Sequence, residues 1–138
     1  MTGTIKIRTR YPDCDMMGVV HHAVYPIWYE MARMDFWRLI DFSYEQSQTL
    51  GINPAVVDLH MQYKAPAKYP QELEITTQIV EFAPRKLKLR YEVKNDAGEV
   101  ISAAESFHVW IGPDGRAYNL EENLPEVYGR ISAAASLD

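Results

Sequence analysis

The chain of 138 residues carries one cysteine, Cys14, so no internal disulfide can staple it and its stability must come from a buried core. No apolar run is long enough to cross a bilayer, so no membrane partner is expected. Cations are not in excess either. Fourteen Lys and Arg against nineteen Asp and Glu leave a net charge of −5, which argues against a general nucleic-acid binder, because neutralising phosphates requires surplus positive charge. The Gly-x-Ser-x-Gly elbow of serine hydrolases is absent, as is any glycine-rich phosphate cradle. Among the four histidines, His60 and His108 are isolated in strand-like patterns and the neighbours His21 and His22 are expected to diverge, so no metal site and no cofactor is expected. Cys14 lies between Asp13 and Asp15, whose charges disfavour a thiolate nucleophile. No charged start followed by an apolar run suggests export, and a reducing cytoplasm is the expected compartment.

What the chain does have is apolar side chains, at 47% of residues, enough for a single domain over 1–138 with a core of its own. Ile5, Ile7 and Thr9 alternate with Lys6, Arg8 and Arg10, the period of a strand over Thr4 to Arg10. From Ala23 to about Ile40 the polar positions cover a limited arc and aromatic and apolar residues fill the rest, predicting a helix buried on more than one side, roughly 27 Å long. Ser43 and Gln46 have capping-box spacing and Gly51 stands where a C-terminal cap belongs, so a short helix is expected between them. Alternation then returns in Val57 to Tyr63, Glu72 to Ile79, Lys86 to Val93 and Glu99 to Ile111, with Asn-Asp-Ala-Gly and Gly-Pro-Asp-Gly as turns. One helical turn is expected near Pro125 to Ile131, with a tail frayed from about 132. One strand, one long helix and four or five more strands ask for an α+β solution, a curved antiparallel sheet of about five to six strands wrapped round the long helix.

The chemistry concentrates between Tyr11 and Trp37, where an acidic loop runs straight into the aromatic helix. A carboxylate just ahead of a helix start faces first-turn N–H groups that have no helical partner, so one segment can supply both a base and an oxyanion site. The helix opening lacks Ser, Thr, Asp or Asn at any plausible cap position, which leaves such donors unclaimed, and Pro26 is compatible with the first turn. Asp13, two residues before Asp15, reads more simply as a turn residue.

Tyr11, Asp15, Gly18, Val19, Val20, His22 and Tyr25 stand at spacings that resemble the hot-dog-fold acyl-CoA thioesterases of the 4-hydroxybenzoyl-CoA thioesterase type, most closely their YbgC-like branch. The segment Gln62 to Lys68 is similar to the family's Tyr-x-x-Pro-Ala stretch. Val24 departs from the pattern, since relatives often carry Asn or Ser there. The resemblance implies a hot-dog fold in which two subunits pair edge to edge, as a homodimer or a dimer of dimers, with active sites on their shared face. It implies an acyl-CoA substrate, with Asp15 as nucleophile or general base and the backbone N–H of His22 or Ala23 as the oxyanion donor. By the same resemblance the His22 side chain lies near the thioester, and Tyr11 lines the site and can hydrogen-bond the carboxylate. Gly18, Val20, Tyr25 and Met61 are the expected substrate-pocket residues, with core filling an equal reading for Tyr25. His21 is read as structural.

Coenzyme A carries several phosphate charges and needs cations at the pocket mouth. Arg85, Lys86 and Lys68 are the candidates, whereas Lys88 and Arg90 read as a solvated strand face. Two other functions fit the same groove. A hot-dog hydratase or dehydratase commonly spaces Asp and His five apart, a distance at which neither Asp13 nor Asp15 has a histidine; a non-catalytic acyl-CoA-binding module is the other.

Overall fold

A computed structural model describes residues 1–135 and turns the alternating segments into five strands: β1 (Gly3–Arg8), β2 (Asn53–Tyr63), β3 (Glu72–Phe82), β4 (Lys86–Lys94) and β5 (Val100–Ile111). They form one antiparallel sheet in the order β1-β3-β4-β5-β2. Across its inner face lies α1 (Tyr25–Leu39), followed by α2 (Tyr44–Leu50); α3 (Leu120–Asn123) and α4 (Pro125–Ala134) are the last helices among the described residues. This is the expected α+β plan. Among the described residues no helix is long and apolar enough to cross a membrane.

A 3-10 turn over His22–Val24 leads into α1, and Pro26 sits in its first turn where no backbone donor is needed. Tyr25, Trp28, Tyr29, Ala32, Phe36 and Trp37 recur every three to four residues and are all buried on the sheet side. The opposite side is not wholly polar. Ile27, Met31 and Met34 leave 57%, 48% and 44% of their surface exposed. The helix ends where Asp41 takes a left-handed conformation (φ 59°), with Phe42 N–H donating to Trp37 O at 2.9 Å and Asp41 N–H to Arg38 O at 3.1 Å. Arg130 of α4 fastens that corner by donating to Asp41 O and Oδ2. The predicted capping box of α2 is present, and Gly51 supplies its left-handed cap.

β2 begins four residues before the alternation that revealed it. A bulge between Val56 and Asp58 puts residues 53–56 out of phase with 57–63, so the alternating pattern is legible only beyond it. As an edge strand bonded only to β5, β2 tolerates Pro54. Val56, Val57, Leu59 and Tyr63 remain exposed along this edge. The other edge, β1, is six residues long and turns Lys6 and Arg8 to solvent. The tail departs from expectation as well: α4 continues through Ala134, and Ile131, Ala134 and Ala135 are buried, because the helix docks its apolar face instead of fraying at 132. The rest of the expected frayed segment, 136–138, lies outside the described residues.

A chain of hydrogen bonds crosses the core. Arg33 Nη1 donates to Tyr91 Oη at 3.0 Å, Tyr91 Oη and Ser106 Oγ are 2.7 Å apart, Ser106 Oγ lies 2.7 Å from His108 Nε2, and His108 Nδ1 lies 3.0 Å from Pro54 O. A carbonyl can only accept, so Nδ1 carries the proton and Nε2 accepts from Ser106. The direction of every bond follows: guanidinium to phenol to hydroxyl to imidazole to carbonyl, tying α1 to β4, β5 and β2. Burial pushes the His108 pKa down to about 4.

Candidate active site

The acidic loop is a small backbone structure of its own. Tyr11–Asp13 forms a 3-10 turn, Cys14 bridges to Val20, and Asp15 N–H donates to Val19 O at 2.9 Å. Gly18 closes the loop at φ 77°, and a Cβ there would meet nothing within 4 Å, so glycine is needed for conformation and not for close approach. The half-buried Asp15 turns Oδ1 back on this loop, accepting from Met17 N–H at 2.8 Å and Val19 N–H at 3.5 Å. Oδ2 has no hydrogen-bond partner among the described residues. The turn role expected of Asp13 is thus performed by one oxygen of Asp15, while the Asp13 carbonyl accepts from His21 N–H at 2.9 Å and its carboxylate stands 3.9 Å from Arg10.

Helix entry is tied peptide by peptide. His21 O accepts from Val24 N–H at 3.0 Å, His22 O accepts from Tyr63 Oη at 2.9 Å, and Ala23 N–H donates to His21 Nδ1 at 3.1 Å. The 3-10 turn at His22–Val24 therefore has a side-chain cap, supplied by an imidazole instead of a hydroxyl or carboxylate, while α1 itself, beginning at Tyr25, has none. Ala23, one of the two expected oxyanion donors, is already engaged. His22 N–H is the one left without a partner among the described residues. The imidazoles of His21 and His22 do not diverge; they stack at 4.2 Å because the His21 ring folds back over the turn to reach Ala23. Tyr63 stands edge-on to the His22 ring at 6.4 Å.

The remaining candidates divide. Tyr11 is exposed and packs edge-on against Tyr69 at 5.8 Å, without the hydrogen bond to Asp15 that was expected of it. Val20, expected to line a pocket, is a core residue whose N–H donates to Ala67 O; Tyr25 takes the core-filling one of its two readings, its ring between Trp28 and Tyr63. Burial raises the Tyr25 and Tyr29 pKa values, so both phenols stay neutral. Met61 is half-buried, its sulfur 3.9 Å from Tyr63 Oη. Lys68 bridges to Val19 and so adjoins the Asp15 loop.

Arg85 and Lys86 do not. Lys86 pairs with Val109, which pairs with Ala55, whereas the Asp15 loop adjoins the Tyr63 end of β2. At 3.3 Å per residue the two ends are about 25 Å apart. Arg90 lies on the solvated face expected of it, whereas the Lys88 side chain is only 18% exposed, its Nζ 4.8 Å over the Phe107 ring and 3.3 Å from Glu105. Burial works against the Glu105 charge, but hydrogen bonds and positive charge from Arg90 and Lys88 outweigh it and keep its pKa low. Sequence reasoning missed Tyr63 and His21 as parts of this site. Tyr63 lay inside the Gln62 to Lys68 segment without a role, and histidine is not among the residues by which caps are recognised.

Comparison with known proteins places this geometry in context. Residues 9–131 match the family model of the thioesterase-like superfamily. The acyl-CoA thioester hydrolase YbgC of Escherichia coli O6:H1 is 31% identical over 107 residues, covering 78% of this chain and 80% of its own. YneP of Bacillus subtilis, a candidate acyl-CoA thioesterase, is 32% identical over 106 residues, 77% of each chain. Among solved structures, the hypothetical protein TT1821 from Thermus thermophilus superposes over the whole of both chains with a TM-score of 0.89 at 30% identity. The DHNA-CoA thioesterase from Staphylococcus aureus superposes with a TM-score of 0.87 at 29% identity, over 96% of this chain and 91% of that one. The fold is the hot-dog arrangement.

Proposed function

Because the chain belongs to the thioesterase-like superfamily, we propose that this acyl-CoA thioesterase cleaves its substrate with Asp15 as the acting carboxylate and His22 N–H as the oxyanion donor. The observation that carries the reading is the division of labour inside one tied loop. Asp15 Oδ1 is spent on Met17 and Val19 while Oδ2 is uncommitted, and His22 N–H is the uncommitted donor beside bonded neighbours. A thioester carbonyl seated between them would have its oxygen polarised by the N–H and its carbon offered to Oδ2, or to a water that Oδ2 deprotonates. The His22 imidazole is available to protonate the departing thiolate.

Several features support a homodimer, or a dimer of dimers, joined through β2. The exposed apolar residues of this edge and the Ile27–Met31–Met34 stripe of α1 are the surfaces a second copy would cover. Antiparallel pairing of two β2 strands would bring the partner subunit's sheet end toward the Asp15 loop, so Arg85 and Lys86 could serve coenzyme A only across the interface, with Lys68 serving it within the chain. Gly18 and Met61 border the same region. A cytoplasmic location agrees with the single cysteine and with a coenzyme A substrate.

Asp15→Asn is expected to lower kcat for acyl-CoA hydrolysis by roughly a hundred to ten thousand-fold with folding intact. Folded mutant enzyme of normal activity would remove Asp15 from the reaction. A single turnover in 18O-water tests the covalent role: label in Asp15 reports a mixed anhydride opened by water at the aspartyl carbonyl, whereas direct attack by water leaves Asp15 unlabelled and puts the label in the product acid.

A further inference from the structure

We infer that His21 is a positioning residue of the thioesterase site, acting through its neutral imidazole to aim the His22 peptide donor and the His22 ring. The inference rests on the reading of His22 N–H as the oxyanion donor.

Three consecutive peptides carry it. The 20–21 peptide is fixed by His21 N–H donating to Asp13 O at 2.9 Å. The 21–22 peptide is held through its carbonyl, which accepts from Val24 N–H at 3.0 Å, and its other end is the open His22 N–H. The 22–23 peptide is clamped at both ends, by Tyr63 Oη on its carbonyl and by His21 Nδ1 on its N–H. Without the His21 acceptor, Ala23 N–H becomes a second unsatisfied donor one residue from the first. An oxyanion could then be drawn to either, and the turn would lose the bond that sets the φ of Ala23.

The ring contributes a second constraint. At 4.2 Å and 29° between planes, His21 forms one wall for the His22 imidazole, with the Tyr63 ring edge-on as another at 6.4 Å. Accepting at Nδ1 requires that the proton of the neutral ring sit on Nε2, so the geometry specifies one tautomer. Cap and wall are separable chemically. Phenylalanine keeps an aromatic wall and cannot accept; asparagine accepts from first-turn N–H groups and supplies no ring.

The test measures kcat and KM for hexanoyl-CoA and benzoyl-CoA by thiol release, in the full-length protein and in His21→Phe, His21→Asn, His21→Ala and Asp15→Asn. His21→Phe and His21→Ala are expected to lose about five- to tenfold in kcat, the scale of one lost cap, with KM within about twofold. His21→Asn should recover most of that loss. Wild-type kcat in His21→Phe, or an His21→Asn enzyme as slow as His21→Ala, would overturn the inference. Nitrogen-15 chemical shifts of the His21 ring in the native enzyme give a readout that does not depend on turnover: an unprotonated Nδ1 is expected, and a protonated Nδ1 refutes the cap. Asp15→Asn keeps the two readings apart. If it is inactive while the His21 variants are normal, only the positioning role fails; if it is fully active, the catalytic reading fails first.

Discussion

His108 should make the stability of this protein fall on the acid side, by an amount the structure allows to be worked out. Its side chain is 1% exposed, with Nδ1 donating to Pro54 O and Nε2 accepting from Ser106, so the neutral ring is fully used. A second proton would have to enter against the Ser106 hydroxyl in a dry interior that already holds the Arg33 guanidinium at the far end of the same chain of bonds. Burial first, and Arg33 after it, push the His108 pKa from 6.5 to about 4, although the Pro54 carbonyl pulls the other way. Because the folded-state value is depressed, the contribution is complete above pH 6.5, shrinks as pH falls and the unfolded chain takes the proton first, and is gone near pH 4. Each tenfold difference in proton affinity is worth about 1.4 kcal/mol, so roughly 3 kcal/mol disappears across that window, about 2 kcal/mol of it by pH 5. Urea unfolding at fixed protein concentration and pH 7.5, 6.0, 5.0 and 4.5 measures it against His108→Gln, which retains an amide donor and acceptor and cannot titrate. The variant is expected to be less stable at pH 7.5 and to close the gap as pH falls. Parallel profiles for the two proteins would refute the assignment.

Tyr91→Phe removes the phenol between Arg33 and Ser106 and is expected to cost about 1–3 kcal/mol in chemical denaturation, as the Arg33 guanidinium loses an acceptor and the buried Ser106 hydroxyl loses its donor. Gly18→Ala meets no steric obstacle yet must hold φ at 77°; a loss of about 1 kcal/mol is expected, with Gly18→Asn milder, and equal stability of all three proteins would contradict it. Val57→Asp or Leu59→Lys on the open margin of β2 should shift the mass seen by light scattering toward the monomer and reduce thioesterase activity with it; an unchanged mass would show that this margin is not the joint.

Where local physics decides, the sequence was readable. The capping box at Ser43 and Gln46, the left-handed Gly51 and the strand alternations each involve neighbours within a few residues, and each has its counterpart in the structure. The bulge at Val57 was not readable, since it depends on which carbonyls β5 presents. Ser106 and His108 illustrate a deeper limit. Alternation places them on the buried face, but their partners come from α1, β4 and β2, and no local pattern announces a polar chain drawn from four elements. At the candidate site the family-like spacing pointed to Asp15 and His22, whereas burial of Val20 and Tyr25 and the remoteness of Arg85 depend on the course of the chain in space. Strand direction and register separate Arg85 from the loop, and both are settled only when the whole sheet assembles.

The two margins of the sheet are unequal, and that inequality limits growth. β2 is eleven residues long and sets the exposed apolar Val56, Val57, Leu59 and Tyr63 beside open backbone groups, while β1 is six long and presents Lys6 and Arg8 to any approaching strand. Two copies zipped along the long margin would leave outward only short margins whose exposed Lys6 and Arg8 resist the approach of another strand, so edge-to-edge addition of further copies is disfavoured.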